Sequence, residues 1–152
     1  MSVKQAVRRQ YQALIDRARG GNIQLPAEGW IRTVRKALGM SGAQLAGRMG
    51  VTRARIAQAE QAELEGGVTL KSMQAMAEAM GCRFVYAFMP PDTIEAIIIA
   101  QARKKAEAIV ATAGKHMALE DQAVTGNRTE REVSRLTSEL LHEMPSDFWQ
   151  DK

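Results

Sequence analysis

Apolar residues recur at intervals of three and four over most of the chain, and at intervals of two in one short stretch. Val3, Val7, Tyr11, Leu14 and Ala18 mark one face of an amphipathic helix; Arg8, Arg9, Arg17 and Arg19 lie on its other faces and Gly20-Gly21-Asn22 stops it. After a loop from Pro26 to Gly29, a second helical pattern starts at Trp30. It buries Trp30 or Ile31, with Val34 and Leu38, and Gly39 ends it. Ser41 is placed to cap a helix running to Met49 and closed by Gly50, and Thr52 caps residues 53–61 in the same way. Thr69 opens a further helix with Leu70, Met73, Met76, Ala77 and Met80 inward, terminated by Gly81.

The period then changes. Arg83-Phe84-Val85-Tyr86-Ala87-Phe88-Met89 places aromatics at alternate positions and closes with Pro90-Pro91, the pattern of one short β-strand. A lone strand leaves its backbone groups unpaired, and the same strand from a second copy would satisfy them, so Phe84, Tyr86 and Phe88 become candidates for dimerisation. The alternative is an extended segment lying across the helices. Asp92 with Glu95 predicts a cap for a long helix to about Ala113, with Ile94, Ile97, Ile98, Ala102, Ile109 and Val110 on its apolar face. Residues 114–128 fit no single pattern. Thr129 and Glu132 frame a last helix carrying Val133, Leu136, Leu140 and Leu141, and the tail after Pro145 offers Phe148 and Trp149 to dock or be exposed.

Composition narrows the function classes. A chain of 152 residues suits one ordinary domain with a helical appendage, and scarce aromatics with plentiful Met and Ala suit helix-on-helix packing. The single cysteine, Cys82, rules out an internal disulfide and points to a reducing compartment; with no signal-like start and an Ile97–Ala100 run too short for a bilayer, the expectation is a cytoplasmic protein with no membrane contact. Net charge is +4, unevenly placed: residues 1–58 carry eleven Lys/Arg against two acids, and residues 59–152 ten against fifteen. A basic first part beside an acidic second part suggests a polyanion on one side and a different partner on the other.

Residues 41–61 carry the chemistry. A helix-turn-helix needs a small residue where its helices cross, a turn residue tolerant of positive φ, and apolar anchors on both helices. Ala46, Gly50 and Ile56 stand at those places, with Leu45, Met49 and Val51 completing the core. Arg53, Ala54 and Gln58 then face outward from the second helix. Arg can bind guanine O6 and N7, Gln can bind adenine, and Ala can meet a thymine methyl. Arg55 points sideways toward phosphate, helped by the Ser41 and Thr52 hydroxyls, while Gln44 and Arg48 of the preceding helix can also meet the backbone of double-stranded DNA. Each of these residues alone reads equally well as a solvated side chain, except Arg53, whose position and chemistry agree; the constellation is what carries the inference.

The segment LAGRMGVTRARIAQAE resembles the Cro/C1-type (XRE) helix-turn-helix of phage repressors and toxin–antitoxin regulators. That family usually has Gln after the Ser at the start of the first motif helix; Gly42 stands here, so that DNA contact is absent. A narrower resemblance covers nearly the whole chain: WIRTVRKALGMS, CRFVYAFMPP and HMALEDQ are similar to the family labelled mobile mystery protein A, which is antitoxin-like and found paired with Fic-domain proteins. It implies a DNA-binding partner whose C-terminal half could hold a Fic-domain protein. Neither Glu28-Gly29 nor Glu65-Gly66 has the Ser or Thr four residues earlier that a Fic-inhibiting motif requires, since Gln24 and Gln61 stand there, so such a hold implies another surface.

His116 and His142 lie far apart without ligand-spaced partners, and no nucleophile elbow or phosphate loop appears, so no enzyme, metal or cofactor is expected. The expected fold is all-α: a basic helix over 1–22, a five-helix XRE-type domain over 23–82, one β-strand over 83–90 and a helical extension over 91–152. The expected function is sequence-specific repression as a homodimer on a palindromic operator. The alternative is a protein-binding antitoxin module that neutralises a Fic-domain toxin partner, with DNA binding secondary.

Overall fold

The computed structural model describes residues 2–21, 23–119 and 126–151, with backbone only at 116–119 and 126. Among these are seven helices: α1 (Val3–Arg19), α2 (Trp30–Ala37), α3 (Gly42–Met49), α4 (Arg53–Glu65), α5 (Leu70–Ala79), α6 (Ile94–Leu119) and α7 (Gly126–Glu143). The chain divides into two compact units, Asp16–Phe88 and a second made of Met1–Ile15 with Met89–Lys152.

In the Asp16–Phe88 unit, α2 to α5 close around Ile31, Leu45, Ala46, Ile56, Ala59, Met73, Met76 and Met80, with Val34, Met49, Val51 and Phe84 packed at the margin. The open choice between Trp30 and Ile31 falls to Ile31, which is buried while Trp30 is partly exposed. Leu38 does not enter the core. It follows the last residue of α2, where the chain turns away, and is exposed. Side-chain caps open three helices: Ser41, Thr52 and Thr69 each accept the amide three residues on.

In the other unit, α6 and α7 pack through Ala102 and Ala106, both without exposed surface, and Val133. Alanines four apart let the two helices approach closely. Phe148 folds back from the tail onto Ile98 and Ala102, and its carbonyl accepts from Gln101 Nε2 at 2.9 Å. Trp149 stays exposed, its ring edge-on to Phe148. The start of α6 is capped by Thr93, whose hydroxyl accepts from the Ala96 amide, one residue later than the expected Asp92. Gln12 of α1 takes the Ile94 amide at 3.0 Å. The last helix begins at Gly126, so Thr129 lies within it and does not cap it. Of the stretch HMALEDQ, residues 120–122 lie outside the described residues, as does the side chain of His116.

Two larger expectations are corrected: residues 23–82 hold four helices, α2 to α5, rather than five, and the strand is absent. Residues 83–90 form no β-strand, and no strand occurs among the described residues. The segment carries no assigned secondary structure: its aromatics alternate as read, but a strand is defined by ladder hydrogen bonds and the described residues supply no second strand to make them. No described backbone hydrogen bond involves residues 83–89. Phe84 is half-buried against the helical core, with Tyr86 stacked on it at 5.7 Å, while Phe88 is 92% exposed.

Candidate nucleic-acid interface

The turn between α3 and α4 decides how α4 is presented. Gly50 has φ 68°, a left-handed conformation that costs a residue with Cβ but not glycine. The amides of Gly50 and Val51 turn back on the carbonyls of Gly47 and Ala46 and close α3. Ala46 is buried where the helices cross, and Ile56 anchors α4 beneath. At about 100° per residue, Ile56, Ala59, Glu60 and Glu63 form the inner face of α4. Ala54, Gln58 and Gln61 form the outer face, and Arg53 and Arg55 flank it on opposite sides.

The inner face carries two carboxylates, and both are used to fix α2. Glu63 accepts from the first two amides of α2, those of Trp30 and Ile31, the latter at 3.0 Å. This replaces the side-chain N-cap that α2 lacks, because Gly29 stands at its start. Gly29 is required twice over: its φ is 82°, and a Cβ there would come within 2.9 Å of the Glu63 carboxylate. Glu60 pairs with Arg35 at 2.7 Å, both side chains largely buried, and Arg35 also donates to the Met40 carbonyl at 2.9 Å. Sequence reasoning missed Glu60 and Glu63. The signal was present, since both lie at helical spacing from Ile56 and an acid on a core-facing position requires a partner. Gln61 was missed as well; it extends the outer face one turn beyond Gln58 and donates to Glu65 at 3.0 Å.

The expected DNA-binding residues Ser41, Gln44, Arg48, Thr52, Arg53, Ala54, Arg55 and Gln58 are all exposed. The Cγ of Arg53 lies 4.0 Å from where a Cβ on Gly42 would sit, so the starts of α3 and α4 adjoin. Ser41 and Gln44 form a reciprocal capping box, with Gln44 Oε1 accepting from the Ser41 amide at 2.8 Å. This uses the oxygen of Gln44 and leaves its NH2 as the donor, and Ser41 and Thr52 keep their hydroxyl hydrogens. Arg48 is partly committed elsewhere: its Nε donates to the Ala79 carbonyl at the end of α5, at 2.7 Å.

Charge on this surface is uncompensated. No carboxylate among the described residues lies within ion-pair distance of Arg53 or Arg55. The acids of the unit are engaged elsewhere; Glu28, for example, holds Lys36 at 3.0 Å, and the hydrogen bond and charge of that ammonium keep its carboxyl below the usual value. The arrangement offers two guanidinium groups, two hydroxyl donors and the amides of two helix starts around a narrow outer face of Ala and Gln. That is chemistry for a phosphate-lined groove.

Among the described residues, no group of His, Cys, Asp and Glu could hold a metal ion, and no helix is long and apolar enough to cross a membrane. His142 and Cys82 are exposed.

Residues 31–86 match a family model described as Helix-turn-helix. The match runs from the first buried residue of α2 to Tyr86 and takes in the whole outer face of α4. No curated protein and no solved structure matches the chain. The matched region holds α3, the Gly50 turn and α4, and the match supports a DNA-binding regulator.

Proposed function

We propose that the protein is a sequence-specific transcriptional repressor that binds a palindromic operator as a homodimer. The observation that carries this reading is the pair of arginines, Arg53 and Arg55, left without carboxylate partners beside the exposed outer face of α4 in a helix-turn-helix domain. Arg53 reads guanine, Gln58 adenine and Ala54 a thymine methyl. Arg55, Ser41, Thr52, Gln44 and the remaining donors of Arg48 hold phosphates. Phe84, Tyr86 and Phe88 bring two copies together, so that the two α4 helices enter major-groove half-sites about 34–36 Å apart, or a multiple of that. The reading assigns the chain no catalytic role, no metal and no cofactor, and places it in the cytoplasm.

A second, antitoxin-like reading rests on the resemblance to proteins paired with Fic-domain partners. One feature of the Met1–Ile15 and Met89–Lys152 unit favours it: α1 buries no residue, and Val3, Val7, Tyr11 and Leu14 line one exposed face. Here a Fic-domain protein occupies that unit and repression is secondary. Tyr11→Asp then releases the Fic partner and leaves operator affinity unchanged; equal Fic binding by that variant would remove the reading's structural support.

The deciding experiment is fluorescence anisotropy with the chain's own upstream DNA and a scrambled duplex, each over a salt series. Repression requires tight binding to the first and weak, steeply salt-dependent binding to the second. Equal weak binding to both sinks it.

A further inference from the structure

Beside Phe84, the Asp16–Phe88 unit has an apolar cavity of about 300 Å³ lined by Trp30, Ile31, Val34, Met73, Met80 and Phe84, among others. A cavity of about 150 Å³ suffices for a benzene ring, so this one has room for an aromatic side chain. The same unit also carries a strongly exposed aromatic, Phe88, 92% exposed at the end of a segment whose backbone makes no hydrogen bond from 83 to 89 among the described residues. In the extended form that backbone pairing requires, four residues carry Phe88 about 13 Å from Phe84, out of easy reach of its own cavity.

A second copy can serve it. Two such segments running antiparallel about a two-fold axis at Tyr86 place residue 84 of one copy opposite residue 88 of the other, and 86 opposite 86. This register sets every aromatic of one segment against an aromatic of its partner. Moving the axis to residue 85 or 87 leaves an aromatic facing Cys82 or Pro90. Directly opposed residues in an antiparallel pair project to the same face. Phe84 projects onto the helical core, as its packing shows. The partner copy's residue opposite it therefore projects there too.

We infer that the homodimer is formed by reciprocal insertion: each copy seats its Phe88 in the other's cavity beside Phe84, while the two 83–89 segments pair their backbones. The occupant is a second copy of this chain. The inference rests on the dimer proposed above and adds the register and the plug. It also accounts for an apolar cavity and an exposed aromatic in one unit without invoking a separate ligand.

The test uses the full-length chain in analytical ultracentrifugation, as wild type and as Phe88→Asp. Because Phe88 is exposed in the single copy, this substitution leaves the unit folded, which circular dichroism checks. Wild type dimerises, and Phe88→Asp weakens the dimer by at least about tenfold. In a Cys82→Ser background, Tyr86→Cys gives a covalent dimer on air oxidation, because facing Cα atoms about 4.5–5.5 Å apart lie within disulfide reach. A wild-type dimer that Phe88→Asp leaves intact, with no cross-link through position 86, overturns the insertion while the dimer itself stands on another surface. A wild type that stays monomeric at about 100 μM, well above the micromolar affinities common to specific complexes, overturns both.

Discussion

The two units of this chain handle charge in opposite ways. Asp16–Phe88 holds ten Lys/Arg against six Asp/Glu, while the rest of the chain holds eleven of each. In the balanced unit the charges answer one another: Arg103 bridges Glu107 and Glu130, Arg135 bridges Glu132 and Glu139, and Lys104 meets Asp151. Exposed pairs of this kind contribute little stability each, but they neutralise these charges locally. In the other unit, Glu60 and Glu63 are turned inward to hold α2, and Arg53 and Arg55 are left facing water. A basic composition alone says little about partners. What marks a surface as waiting for a polyanion is that its nearest carboxylates are spent on structure.

If the units differ in this way, each can be damaged with a distinct signature. The largest effect is expected from Phe148→Ala, which empties the tail's anchor on α6 and costs about 3–5 kcal/mol of that unit's stability. Urea unfolding should show the loss while anisotropy shows unchanged operator affinity; a parallel loss of DNA binding would mean the separation is false. Next is Glu63→Ala, which strips α2 of both its first-turn acceptors at a cost of roughly 1.5–3 kcal/mol. Hydrogen exchange should locate the loss at α2 in the Asp16–Phe88 unit, with α6 and α7 protected as before.

Arg53→Ala reverses the pattern. It should leave the urea midpoint unchanged and remove roughly 1–3 kcal/mol of discrimination between operator and scrambled DNA. An unaltered preference would reassign Arg53 to the solvent. The smallest effect concerns acid. Arg135 and Lys104, chiefly by hydrogen bonding, hold the Glu132 and Asp151 carboxyls below their ordinary values. A folded-state pKa below the unfolded one gives stability that is present at neutral pH and lost as the pH falls through the folded value. The balanced unit should therefore weaken slightly below the usual carboxylate range, and Glu132→Gln should blunt that dependence in a urea titration at pH 7 and pH 3.

Sequence alone specified the elements whose signals are local. Ser41, Thr52 and Thr69 announce helix starts because a hydroxyl can accept its own third amide, and Gly50 announces the turn because positive φ suits a residue without Cβ. Ala46 and Ile56 at fixed spacing then place Ala54 and Gln58 outside by helical period alone. The tertiary structure decided what depends on partners distant in sequence. It joined Lys4, Arg8 and Arg9 to the C-terminal unit, where Gln12 meets Ile94 and Arg8 approaches Glu95. It buried Phe148 and left Trp149 out, and it made Glu63 the cap of a helix thirty-odd residues upstream. It also withheld the strand over 83–90. Alternation can be read along one chain, but a ladder hydrogen bond belongs to two segments, and a single copy of this sequence provides only one.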